Sequence, residues 1–187
     1  MIEQLKEIIK DRHYQTSETS DNNAVLLMDD NSGMEVRITK PANDWLVINI
    51  PDNHHLGMVD KGNWRKTCDK LILVAGRNQV DVYFIEMKKT LRPNQEDIPE
   101  DAFMQILCTI PTLDYLVSMV KNYFQEQYGI KQHYAVIYEK RAATLDKQRI
   151  KPQIADSYKF RRESFRCISS VSGPIDLDHL QFKSEQA

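Results

Sequence analysis

A chain of 187 residues with 41% hydrophobic content is long enough for one α/β domain with its own core and too short for two. A net charge of -2 and a pI near 6.2 exclude a globally basic polyanion binder, so any nucleic-acid surface has to be local. Three widely spaced cysteines, Cys68, Cys108 and Cys167, exclude a disulfide framework or zinc ribbon and point to a reducing compartment.

Residues 1 to about 12 place Ile2, Leu5, Ile8 and Ile9 on one stripe, which predicts a short amphipathic helix. Glu3 and Glu7 fall away from that stripe, on a solvated face. No basic region followed by an apolar run opens the chain, and no segment reads as the roughly 20 apolar residues of a membrane span. A cytoplasmic protein without membrane contact is therefore expected. Residues 17–23 are polar and turn-like, and short strands follow over 24–28, 34–40 and 45–50 as a meander that widens a sheet on one side.

Pro51-Asp52-Asn53-His54-His55 reads as a turn after a strand. Adjacent histidines on an extended chain point in opposite directions, so His54, His55, Asp52 and Asp60 read as a surface loop rather than a transition-metal site. If Gly57 to Arg65 forms a flexible segment touching substrate, Lys61, Arg65 and Lys66 are available to phosphates, and Trp64 can stack on a base or enter the core.

Two runs rich in β-branched and aromatic residues, 68–75 and 80–90, flank the break Gly76-Arg77-Asn78-Gln79 and predict a β-hairpin. With Ala75 and Val80 closing the loop, Asp69 falls opposite Glu86, and Thr67 opposite Lys88. Side chains two apart share a face, so Leu71, Leu73, Val82 and Phe84 line one side, with Asp69, Glu86 and Lys88 above them. Two carboxylates roughly 5 Å apart at an apolar rim repel and call for a cation. Such a pair can hold a hard divalent ion through oxygen, and a nearby Lys can orient or activate water. That chemistry suits phosphodiester hydrolysis. A rim salt bridge of Lys88 with either acid is the purely structural alternative.

Beyond the hairpin, residues 91–99 read as a connection with two prolines. A long helix starts near Asp101, with Phe103, Ile106, Ile110, Leu113, Val117, Val120 and Phe124 at helical spacing. Pro111 is expected to kink or divide it, and Gly129 to end it. A further strand runs from His133 to Glu139. Between Lys131 and Arg166 there are ten Lys/Arg against four Asp/Glu, interleaved with Tyr158, Phe160 and Phe165. Arg141, Lys147, Arg149, Arg161 and Arg162 are its candidate phosphate contacts, although a charged edge strand guarding against pairing gives the same pattern. Residues 1–172 form one domain in this reading, and 173–187 a polar tail that is mobile or docks on a partner.

Asp69 followed by Glu86-Met87-Lys88 at the end of the next strand, and then by Ala102-Phe103-Met104-Gln105-Ile106-Leu107 opening a helix, resembles the PD-(D/E)XK nuclease superfamily. The resemblance covers residues 60–140 closely and the rest in outline. It implies a restriction-endonuclease-like α/β fold, a mixed central sheet flanked by helices. It also implies Mg2+ or Mn2+ held by Asp69, Glu86 and the Met87 carbonyl, with Lys88 catalytic. Gln105, and an acid on the first helix such as Glu7, are implied as supporting or substrate-binding residues. The implied substrate is DNA, cut by an endonuclease that works alone, as a homo-oligomer or within a larger complex. The other reading is a subunit that keeps the nuclease fold and binds nucleic acid or assembles without turnover.

Overall fold

The computed structural model describes residues 1–10, 13–16, 24–29, 31–39, 43–50, 66–77, 79–91, 99–141, 156–171 and 173–181. The two apolar runs around Gly76 fold as the expected hairpin, β5 (Lys70–Ala75) and β6 (Gln79–Leu91), with Ala75 opposite Val80. Gly76 N–H donates to the Gln79 carbonyl at 2.8 Å and closes the turn. A Cβ on Gly76 would stand 2.9 Å from that oxygen, so the close approach requires glycine. β6 is buried on both faces from Val82 to Met87, as an interior strand must be.

The other elements are α1 (Ile2–Ile8), β1 (Tyr14–Thr16), β2 (Ala24–Asp29), β3 (Met34–Thr39), β4 (Trp45–Asn49), α2 (Glu100–Phe124), β7 (Gly129–Arg141), β8 (Asp156–Phe160), β9 (Glu163–Ser169) and α3 (Leu177–Leu180). The protein is α/β, with a seven-stranded mixed sheet in the order β1-β4-β5-β6-β7-β9-β8. β6, β7 and β9 run parallel, and the other pairings are antiparallel. Parallel neighbours need a long crossover, and α2 supplies it between β6 and β7. On the first face of the sheet, α1 and α2 cover Leu46, Leu71, Leu73, Val82, Phe84, Val136 and Phe165.

Phe103 on α2 stacks on Phe165 at 4.2 Å and meets Tyr158 and Phe160 at the sheet's β8 edge. Its side chain is fully buried. Phe103→Ala is expected to cost about 3–5 kcal/mol of stability, read by chemical denaturation.

Several expectations change. The stretch 24–40 does not widen the main sheet: β2 and β3 form a separate two-stranded sheet that packs on its second face. Their strict alternation buries one side only, with Val25, Leu27, Met34, Val36 and Ile38 inward, whereas Trp45–Ile48 of β4 are buried on both sides and enter the main sheet. The polar tail docks on this chain itself through residues 175–180. Ile175 bridges Ile38, and Leu177 and Leu180 are buried in the second-face core. α1 is shorter than expected, because Ile9 already adopts extended backbone.

α2 runs unbroken through Pro111, whose side is exposed to solvent, and ends at Gln125 in the left-handed conformation rather than at Gly129. Gly129 instead opens β7, which is longer than the expected strand. By length and composition α2 is also long and apolar enough to cross a membrane. Its residues Ala102, Phe103, Ile106, Leu113 and Val120 are buried against the sheet. Further along the second face, buried His133 bonds Asp81 at 3.1 Å and stacks on Tyr83, pinning β6 to β7.

Candidate active site

The last rung of the β5–β6 ladder pairs Lys70 with Ile85. Just beyond it the two strands part, and Asp69, Glu86, Met87 and Lys88 meet under the first turns of α2. Alternation along β6 puts Glu86 and Lys88 on the same face as Val82 and Phe84. Met87 points its side chain into the opposite core, while its N–H donates to Asp69 Oδ2 at 2.6 Å. The N–H and C=O of one strand residue leave on the same edge, so the Met87 carbonyl also faces the Asp69 side.

Glu86 is the unusual member, a carboxylate only 1% exposed within the sheet. Its Oε1 forms an ion pair with Lys88 Nζ, and the Asp69 backbone N–H also donates to the carboxylate. The Gln105 amide is assigned in the orientation that satisfies both neighbours. Its nitrogen donates to Glu86 Oε1 at 2.5 Å, and its oxygen accepts from Lys88 Nζ at 3.3 Å. Burial, and then the nearby Asp69 charge, push the Glu86 carboxyl up to about 8 against the pull of Lys88. Burial likewise raises Asp69 to about 6, with the Met87 N–H opposing and the Asp29 carboxylate adding repulsion. Lys88 keeps 30% of its side chain exposed, so solvent reaches the cationic rim.

Two neighbouring buried acids that both resist ionisation, Glu86 in part because of Asp69, are a donor set that a hard cation relieves. Two carboxylates and one carbonyl, all oxygen, fit magnesium or manganese, which retain several waters when bound. Among the described residues no cluster of three or more His, Cys, Asp and Glu side chains forms, so the carbonyl counts in that set.

The structure thus brings Asp69, Glu86, Met87, Lys88 and Gln105 together. Glu7 is exposed on α1, in keeping with the solvated-face reading. Lys66 is exposed directly before the parting strand, and the Arg141 backbone pairs with Leu91 at the same end of the sheet. Arg161 and Arg162 are exposed in the β8–β9 turn, with the Arg161 guanidinium over the Phe160 ring. The register Phe165, Tyr134, Phe84 across β9, β7 and β6 sets that turn level with Asp81, about 17 Å along the strands from Glu86. Lys61, Arg65, Lys147 and Arg149 lie outside the described residues, as do Asp52, His54, His55, Asp60 and Trp64.

Two participants escape sequence reasoning. Asp29 reads as a turn residue, yet its hairpin docks beside the site, where Lys89 Nζ donates to the Ser32 carbonyl at 3.3 Å. Thr109 breaks no pattern on α2, yet its hydroxyl accepts from the Cys68 N–H at 2.7 Å. No protein-family model, curated protein or solved structure matches this chain.

Proposed function

We propose that the chain is a divalent-metal-dependent phosphodiesterase with the restriction-endonuclease-like core, cutting DNA as an endonuclease. The observation that carries this reading is the meeting of Asp69, Glu86 and Lys88 where β5 and β6 part. A bound Mg2+ or Mn2+ would polarise the phosphodiester and acidify a bound water. Asp69, Glu86 and the Met87 carbonyl would hold that ion. Lys88, released from Glu86, would orient the attacking water and neutralise charge growing on the phosphate, with Gln105 fixing its ammonium. The resemblance supports DNA as the polymer, and three cysteines outside any disulfide support a reducing, cytoplasmic setting.

The test is Mg2+-dependent cleavage of linear and circular DNA by wild type, Asp69→Asn and Lys88→Ala. Cleavage of closed circles identifies an endonuclease. Positions near the site should also dominate DNA binding. Lys66→Ala is expected to lower the salt slope of affinity by about 1, while Arg161→Ala and Arg162→Ala change it less. Binding isotherms across a salt series check this.

A second reading, a subunit of the same fold without turnover, is favoured by the closure of Glu86 under Lys88 and Gln105. Cavities of about 330 and 220 Å³ lie instead around α1 and the Ala75–Val80 turn, at the other end of the hairpin. DNA or partner binding without cleavage by wild type selects this reading.

A further inference from the structure

Residues 67–69 leave the β5–β6 ladder in a particular way. Continued by two pairs, the ladder would set Cys68 opposite Met87, in the class of pair that exchanges two backbone hydrogen bonds. Neither donor makes that bond. The Met87 N–H goes to Asp69 Oδ2 at 2.6 Å, and the Cys68 N–H goes to Thr109 Oγ1 at 2.7 Å. Two side-chain oxygens have replaced two carbonyls, and the strands part where the acids face each other.

Thr109 is 0% exposed, and its hydroxyl in turn donates to the Gln105 carbonyl at 2.9 Å. One buried hydroxyl therefore ties the residue before Asp69 to the turn of α2 that carries Gln105. A buried hydroxyl that both donates and accepts has a single rotamer that satisfies it, which makes the tie stiff. Without it, the Cys68 N–H is a buried orphan whose nearest remedy is to close the ladder onto Met87. That closure would take the Met87 carbonyl out of the ligand set and displace Asp69 from the Met87 N–H.

We infer that Thr109 is a positioning residue, a latch that holds the chain at Cys68 out of the ladder so that Asp69 and the Met87 carbonyl face one cation. The metal-binding part of this inference rests on the proposed nuclease reading. The geometric part stands without it.

Two variants separate hydroxyl from packing: Thr109→Val keeps the volume and loses the hydroxyl, and Thr109→Ser keeps the hydroxyl and loses the methyl. The readouts are the Met87 amide proton shift of the metal-free full chain and Mn2+ affinity by calorimetry. A third is the division of any kinetic loss between kcat and KM. The expected result is that all three follow the hydroxyl. Thr109→Val shifts the Met87 amide, weakens Mn2+ binding about 10- to 100-fold and lowers kcat with KM for DNA unchanged. Thr109→Ser stays within about threefold of wild type, even where its melting temperature falls. If Thr109→Val does not fold, the serine variant decides alone, since an unshifted Met87 amide and near-native Mn2+ binding are required of it. A Met87 amide unchanged in folded Thr109→Val, or metal binding that suffers more from Ser than from Val, overturns the latch. A shifted Met87 amide in a chain whose wild type neither binds Mn2+ nor cleaves DNA keeps the latch and removes the nuclease reading.

Discussion

Asp69→Asn and Lys88→Ala are each expected to lower Mg2+-dependent DNA cleavage roughly 10²- to 10⁴-fold while the protein stays folded. The first variant is informative because its geometry survives. An Asn oxygen still accepts from the Met87 N–H that Asp69 Oδ2 now engages at 2.6 Å, so only the charge is lost. Loss of that charge also relieves Glu86, whose carboxyl Asp69 helps to push up. Asp69→Asn should therefore match or exceed wild-type stability while losing turnover, a division that a merely structural acid would not show. Lys88→Ala removes the partner of a buried carboxyl, which then holds its proton to still higher pH. Equal cleavage by wild type and both variants places the activity elsewhere.

The second large effect is a proton requirement on metal binding. A ligating carboxylate must be ionised, and Glu86 holds its proton to about 8 because it is buried beside Asp69. Mn2+ affinity is therefore expected to rise roughly tenfold per pH unit from 6 to 8 and to level off above. Below about 6 Asp69 is protonated as well, and the dependence steepens. The stability of the metal-free protein carries the opposite sign. A folded-state value raised from 4.5 to about 8 gives stability that is complete below 4.5 and lost as pH climbs through 8. Glu86→Gln cannot ionise and isolates the effect. Wild type should melt close to this variant at pH 5 and on the order of 10 °C below it at pH 9. Calorimetric titrations at four pH values and paired melting curves measure both. Affinity flat from pH 6 to 8 would contradict the assignment of Glu86 as a ligand.

The central hairpin was legible because its signals are local. Gly76 has a steric reason to be glycine, the turn length sets Ala75 opposite Val80, and period-two alternation along β6 then puts Glu86 and Lys88 on one side. The α2 stripe was legible for the same reason, through Phe103, Ile106, Leu113 and Val120. What escaped depends on contacts between segments far apart in the chain. Whether β2 and β3 extend the sheet or cover it depends on the face they find, and alternation alone is compatible with both. The end of α2 turned on Gln125 accepting a left-handed backbone, a role for which Gly129 was the better local candidate. At the site, Thr109 and Cys68 are 41 residues apart, and nothing in either neighbourhood announces the bond. Asp29 was hidden by its own turn, since its Oδ1 accepts from the Asn31 N–H in the pattern that makes Asp common in turns.

The basic residues show the reverse case, a compositional signal spread over more than one place. Arg161 and Arg162 belong to a turn at the far end of the sheet from Glu86, while Lys66 stands beside the parting strands. A local charge count merges them because it does not see the strand direction.

Anomalous diffraction from crystals soaked in Mn2+ at pH 8 tests the central claim most directly. The expected result is one strong peak between the Asp69 and Glu86 carboxylates, within coordination distance of the Met87 carbonyl, with Lys88 Nζ withdrawn from Glu86. No peak there, with the Lys88–Glu86 ion pair intact at saturating Mn2+, would mean that the buried acid serves only the fold.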